Sequence, residues 1–216
     1  MIPRHLHFIW LGTRQMPTQG VRNMLAFQRA NPMADVWLWD DAAMAGLDFP
    51  EKELLLAEPN QGARSDILRL VLLRQFGGVY FDFDIRPQRA LWTNGADPNW
   101  WPPTAELVGC QMSHPEGWTR FANAFLACVP QHPAVCRLLA RLPAQLAEHS
   151  DWEIPERTGP GFVDEGLKAW RAEGGALVEL PECSLFPYGF WETDPAIVQR
   201  EYPDAFAIHE SWKTWL

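Results

Sequence analysis

The chain has 216 residues, 47% of them apolar and 21% charged, a composition that fits a folded domain with a substantial core and excludes a disordered chain. Its formal net charge of −9 argues against a protein that grips nucleic acid across a broad basic surface, while leaving room for a local basic pocket. Four scattered cysteines (Cys110, Cys128, Cys136 and Cys183) form no C-x-x-C pair, as in reduced cytoplasmic proteins, and no stretch reaches the roughly 18–20 apolar residues that span a bilayer.

Ile2–Gly12 alternates as a strand, with His5, His7 and Ile9 on one face and Leu6, Phe8 and Trp10 on the other. It begins at the N-terminus without a signal-peptide apolar region. Gln19–Ala30 predicts a helix closed by Asn31-Pro32, and Asp35–Asp41 a second strand. Strand, helix, strand predicts a Rossmann-like α/β start, in which ligands sit beyond the carboxyl ends of strands. Glu51–Glu58 predicts a short helix, and Pro59–Gly62 the loop feeding the stretch around which the chain is organised, Ala63–Arg86.

That stretch opens with apolar residues on every side (Ile67, Leu68, Leu70, Val71, Leu72, Leu73, Phe76), which predicts a largely buried helix. Asp66 and Arg69 lie three apart on it and share a face. Gly77-Gly78 ends the helix, since glycine tolerates left-handed backbone. Val79–Ile85 predicts a strand with Asp82 and Asp84 pointing to one side. Two carboxylates sharing a buried face repel unless a positive group lies between them, and a divalent cation carrying a diphosphate meets that need.

Arg86–Thr104, with its prolines and tryptophans, predicts a long irregular excursion of the kind that can form a lid. Ala105–Met112 predicts a strand, and Gly117–Pro130 and Pro133–Ser150 two helices, with Pro143 kinking or ending the second. A helix over Phe162–Glu173, a strand over Leu177–Leu180, the aromatic loop Phe186–Trp191 and the tail Ala205–Leu216 complete the chain. Twelve tryptophans are platforms for sugar rings and bases, or core filler.

The composite Ser65-Asp66-x-x-Arg69 … Gly77-Gly78-x-Tyr80-x-Asp82-x-Asp84 resembles the core signature of the DXD-containing sugar transferases, glycosyltransferase family 32. It is also similar to the catalytic domain of the clostridial glucosylating toxins. Asn123-x-Phe125 … Pro130-x-His132-Pro133, the turn Thr158-Gly159-Pro160 and the His209 … Thr214-Trp215 ending extend the resemblance over nearly the whole chain. It implies one GT-A-type domain over residues 1–216, α/β and Rossmann-like, with a central mixed sheet flanked by helices and a helical insertion at about 113–173.

The implied activity is metal-dependent, retaining transfer of a hexose from a UDP- or GDP-sugar to an acceptor hydroxyl, with Mn2+ or Mg2+ as cofactor and surface glycan as the expected product. The resemblance assigns Asp84, Asp82 and His209 to the metal. It assigns Asp66 and Arg69 to the donor sugar, and Trp10, Tyr80, Asp82, Thr214 and Trp215 to the nucleotide and diphosphate, with Asn123 and Trp212 nearby. Each has a plain structural alternative: core packing for Trp10 and Tyr80, a surface histidine for His209, an intrahelical ion pair for Asp66 and Arg69. The pattern departs from the family at Glu210, where a second His is common, and at Thr214, where Ser is common. Family members of eukaryotic origin usually carry a membrane anchor and this sequence shows no spanning stretch, so a bacterial or phage enzyme is expected, cytoplasmic or peripheral to the inner face of the membrane. Two other readings remain, a non-catalytic sugar- or nucleotide-binding relative and a haloacid-dehalogenase-like phosphohydrolase.

Overall fold

The alternation of the opening strand sorts its side chains between two cores. In β1 (His5–Ile9), Leu6 and Phe8 enter one hydrophobic layer and Ile9 the other. The structure is a computed structural model and describes residues 1–92, 98–113, 116–189, 192, 194–198 and 200–212. After α1 (Thr18–Ala30), β2 (Asp35–Trp39) pairs parallel to β1 and forms one edge of the sheet. Two short helices, α2 (Asp41–Ala45) and α3 (Lys52–Ala57), lead to α4 (Gln61–Phe76).

The Asn60 side chain caps α4, accepting hydrogen bonds from the Gly62 and Ala63 amides at 2.8 and 3.2 Å. Nine residues of α4 are buried, among them Asp66 and Arg69, because the helix lies between the sheet and α5. Gly77 (φ +62°) and Gly78 (φ +93°) then drop the chain into β3 (Gly78–Phe81) at the middle of the sheet. A Cβ on Gly78 would lie 2.6 Å from the His5 carbonyl oxygen, and one on Gly77 2.6 Å from Pro130 Cδ, so both glycines are needed for close approach as well as for their dihedrals.

The single strand expected over Val79–Ile85 is two. β3 ends at Phe81, the chain turns with the Ile85 amide donating to the Asp82 carbonyl at 3.1 Å, and β4 (Ile85–Pro87) begins a separate ladder. The turn takes Asp82 and Asp84 out of the main sheet at its carboxyl edge.

β5 (Leu107–Ser113) and β6 (Thr119–Cys128) form a long antiparallel hairpin in the main sheet. The helix expected over Gly117–Pro130 is therefore a strand. Its residues 121–128 are buried on both faces, between β3 and β5, so no period of two marks the sequence. α5 (Pro133–Glu148), α6 (Ile154–Arg157) and α7 (Pro160–Ala172) follow, and β7 (Val178–Leu180) joins the far edge. Pro143 sits inside α5 without ending it.

Among the described residues the main sheet runs β2-β1-β3-β6-β5-β7, mixed parallel and antiparallel. Residues of α4, α5 and α7 build the core on one face. α1 and the excursion after β4 cover the other, where Trp92 and Trp101 are buried. The excursion is thus core cover, and none of its described residues lines the cleft considered next. A short turn, α8 (Pro195–Val198), precedes β8 (Ala207–His209), which pairs antiparallel to β4 and sets His209 opposite Ile85.

Candidate active site

A cleft of about 780 Å³ opens at the carboxyl ends of β1 and β3. Trp10, Asp66, Arg69, Tyr80, Asp82, Asp84, Asn123, His209 and Trp212 all line it, so the structure gathers every expected site residue among those described. Thr214 and Trp215 lie outside the described residues.

At the inner wall, Asp66 and Arg69 form the i,i+3 pair at 2.8 Å with side chains only 8% and 6% exposed. The pair is not solitary. Asp66 Oδ1 also accepts from Asn123 Nδ2 and Oδ2 from the Thr158 hydroxyl, each at 2.8 Å. Arg69 donates to the Asn123 carbonyl at 2.6 Å, approaches Asp82 Oδ1 at 3.3 Å and stacks over the Tyr80 ring at 4.5 Å. Burial raises the Asp66 carboxyl to about 6, against the opposing pull of Arg69 and the Thr158 hydroxyl. Burial works against charge on Arg69 too, but Tyr80, Asp82 and Asp66 hold it firmly protonated. Tyr80 is buried and donates to Asp82 Oδ1 at 2.6 Å, so it reaches the cleft through that carboxylate.

At the mouth, one oxygen or ring nitrogen from each of Asp82, Asp84 and His209 lies within 4.8 Å of the other two. His209 Nε2 is 3.2 Å from Asp84 Oδ1 and 4.0 Å from Asp82 Oδ2. The arrangement comes from backbone: the β4–β8 ladder carries His209 to the turn, and the Glu210 amide donates to the Asp84 carbonyl at 3.0 Å. Ser211 takes left-handed backbone (φ +52°), and the next amide, of Trp212, donates to Asp84 Oδ2 at 2.8 Å. Burial opposes ionisation of both Asp84 and His209. Their mutual attraction prevails, holding the Asp84 carboxyl below its ordinary range and the His209 imidazole above its own. Two carboxylates and an imidazole fit a divalent cation, and a cation there would replace the His209 proton as the partner of Asp84. Glu210, where the resembled family often has a second His, instead accepts from Arg86 Nε at 3.0 Å.

Trp10 borders the cleft half-buried, its indole N–H donating to the Arg14 carbonyl at 2.9 Å and its ring tilted against Phe83. Thr158, Trp118, Arg120 and Glu156 also line or support the cleft and were given no role in the sequence. For Thr158 a signal existed, the Thr-Gly-Pro turn. For the other three, nothing local marks them.

The chain is similar to known glycosyltransferases. The family model described as "Glycosyltransferase sugar-binding region containing DXD motif" matches residues 21–106, the segment from α1 through α4 and both acids. Inositol phosphoceramide mannosyltransferase 3 of Schizosaccharomyces pombe is 24% identical over 98% of this chain and 56% of its own length. Subversion of eukaryotic traffic protein A of Legionella pneumophila is 30% identical over 39% of this chain and 17% of its own. The chain therefore spans about half the length of the first of these relatives and less of the second. Among solved structures, the PaToxG glycosyltransferase superposes with a TM-score of 0.61 at 18% identity, covering 79% of this chain and 70% of that one. The UDP-bound glycosyltransferase domain of the YGT toxin gives 0.58 at 13% identity, covering 82% and 79%.

Residues 21–106 thus resemble the DXD-containing sugar-binding region of glycosyltransferases, and the fold is the one those solved glycosyltransferase domains share. The segment matched by that model lies on a GT-A-type α/β fold.

Proposed function

We propose that residues 1–216 form a single catalytic domain that transfers a hexose from a UDP- or GDP-sugar to an acceptor hydroxyl with retention of configuration, using a divalent cation, Mn2+ or Mg2+. The observation that carries this reading is the meeting of Asp82, Asp84 and His209 at a cleft whose inner wall is the buried Asp66–Arg69 pair. A cation held by those three groups supplies Lewis-acid neutralisation of the leaving diphosphate. Asp66 and Arg69, oriented by Asn123 and Thr158, hold the donor sugar's hydroxyls as acceptor and donor. Trp10 lies beside the base, Tyr80 steadies Asp82, and Thr214 and Trp215 approach the diphosphate from the tail. In the net reaction the bond from the anomeric carbon to the diphosphate oxygen breaks and a bond from that carbon to the acceptor oxygen forms, by double displacement or by same-face attack. The acceptor's proton leaves with the diphosphate or to solvent.

The UDP held by one structural neighbour supports a uridine diphosphate donor. The mannosyl transfer named for the yeast relative supports a hexose, with GDP-mannose as the other donor. Surface-glycan synthesis is the role the family resemblance favours, and among the described residues no helix is long and apolar enough to cross a membrane. The test is a thermal-shift screen with Mn2+ plus UDP, GDP, CDP or dTDP, since a ligand bound only by the folded state must raise the midpoint. A metal-dependent rise with UDP or GDP, accompanied by slow hydrolysis of the matching nucleotide sugar, is expected. No rise with any of the four overturns the reading.

A further inference from the structure

Charge is unevenly placed along this chain. Residues 1–34 contain Arg4, Arg14, Arg22 and Arg29 and no acid, although the formal net charge of the whole chain is −9. Two of these arginines lie on the outer side of α1. The helix turns Gly20, Asn23 and Phe27 inward, and its period of 3.6 then sets Thr18, Arg22, Leu25 and Arg29 along one solvent-facing line. Leu25 is 41% exposed, and Met33, just past the helix end, is 73% exposed. The outer face of α1 therefore alternates arginine with large apolar side chains that the fold leaves in water.

The end of α1 brings a further arginine to this face. The Asn31 side chain accepts from the Leu91 and Trp92 amides at 2.7 and 3.3 Å, which draws the segment after β4, and Arg89 with it, alongside the helix. A depression of about 190 Å³ there is bordered by Arg4, Met33, Ala90 and Trp92. Met1, three residues before Arg4, is 67% exposed. Arg22, Arg29 and Arg89 are exposed and form no ion pair among the described residues. By contrast, the exposed arginines of α5 and α7, which cover the other face of the sheet, bond to glutamates: Arg137 to Glu173 and Arg171 to Glu179. Asp35, the first acid along the chain, faces His5 at 3.8 Å.

A guanidinium binds phosphate oxygens through paired N–H groups, and leucine or methionine beside it enters the boundary between headgroups and acyl chains. A soluble polyanion would engage the arginines and leave Leu25 and Met33 in water, whereas a lipid surface engages both. We propose that the outer face of α1, with Arg22, Leu25, Arg29, Met33 and Arg89, docks reversibly on a bilayer of anionic phospholipid. The first turns of α1 pack on Phe83, which also lines the cleft, so a docked helix carries the cleft to the bilayer surface. The inference does not depend on the transferase reading.

The test is vesicle flotation of the full chain, which reads binding without turnover. Vesicles are phosphatidylcholine alone, or equal parts phosphatidylcholine and phosphatidylglycerol. The wild type is expected to float with the mixed vesicles only, and less so as salt is raised. Each of Arg22→Gln, Arg29→Gln and Arg89→Gln should lower the affinity roughly fivefold, the scale for one arginine near an anionic surface. Leu25→Ser with Met33→Ser should lower it further without changing the salt dependence. Arg137→Gln with Arg171→Gln removes equal charge from the other side of the sheet and should leave binding as it was. All substituted side chains are exposed, and circular dichroism verifies that each variant is folded. No preference for the mixed vesicles overturns the proposal, as does an equal loss in the Arg137/Arg171 variant. Full binding by the Leu25/Met33 variant also overturns it, in favour of a soluble polyanion as the partner. Because nucleotide-induced thermal shifts are scored apart from flotation, failure of either reading leaves the other standing.

Discussion

The Thr158 hydroxyl donates to Asp66 Oδ2 at 2.8 Å, joining residues 92 apart in the chain and fixing the buried carboxylate from the side opposite Asn123. A hydrogen bond to a charged group contributes on the order of 1.5–3 kcal/mol. Thr158→Val is therefore expected to raise the donor KM by roughly tenfold or more, with a smaller effect on kcat, and Thr158→Ser to restore it. The bond favours the ionised carboxylate, so its loss must push the Asp66 carboxyl further above 6 and move the acidic limb of the pH–activity profile to higher pH. An unchanged limb in Thr158→Val, measured alongside wild type, would sink the positioning role.

Asp84 accepts from His209 and from the Trp212 amide. Asp84→Asn keeps the volume and removes the charge. Mn2+ affinity, followed by electron paramagnetic resonance of the free ion, is expected to fall at least tenfold. Activity should fall at least ~10²-fold, the scale of losing one preorganised electrostatic contributor. Wild-type Mn2+ binding in this variant would remove Asp84 from the ligand set.

His7 is buried with both ring nitrogens engaged. Nε2 lies 2.8 Å from the Gly77 carbonyl, and Nδ1 accepts from the Trp39 indole at 3.1 Å, which fixes the neutral tautomer protonated on Nε2. Burial accordingly pushes its pKa down to about 4. A lowered histidine contributes stability that is fully present above the unfolded value of 6.5 and lost as pH falls through about 4, roughly 3 kcal/mol in all. Asp66 acts in the opposite sense. Its raised pKa contributes stability present below 3.8 and lost as pH rises through about 6. The difference in unfolding free energy between wild type and His7→Gln isolates the imidazole, and it should shrink between pH 7 and pH 4. Direct NMR titration should show no protonation of His7 above pH 5.

Gly78 and Gly174 both have positive φ, +93° and +85°, yet only Gly78 is closely approached, by the His5 backbone. Gly174→Ala should cost about 1 kcal/mol, the dihedral penalty alone. Gly78→Ala adds a backbone clash inside the central sheet and should lower the melting midpoint several times further. Equal shifts in differential scanning calorimetry would refute the packing account of the Gly-Gly pair.

Much of this was legible in the sequence where the signal is local. The α4 helix follows from a long apolar run, the Gly77-Gly78 break from glycine conformational freedom, and the β1 strand from its alternation. The order Asp66, Arg69, Asp82, Asp84 marked the site because acids and a guanidinium are costly to place along a buried segment without a purpose. By contrast, β6 read as a helix because a strand buried on both faces has no alternation to display.

Residue chemistry along the chain determined which groups could bind a metal and a sugar, and which helix and strand would carry them. Only the tertiary structure decided how they meet. Asp82 and Asp84 share a site because of a turn and not a strand face, His209 arrives on a separate two-stranded ladder, and the Asp66 carboxylate is oriented by Thr158 and Asn123. Those contacts depend on pairing and packing between segments dozens of residues apart, whose free energy comes from burying surfaces against one another. No window of sequence contains that term.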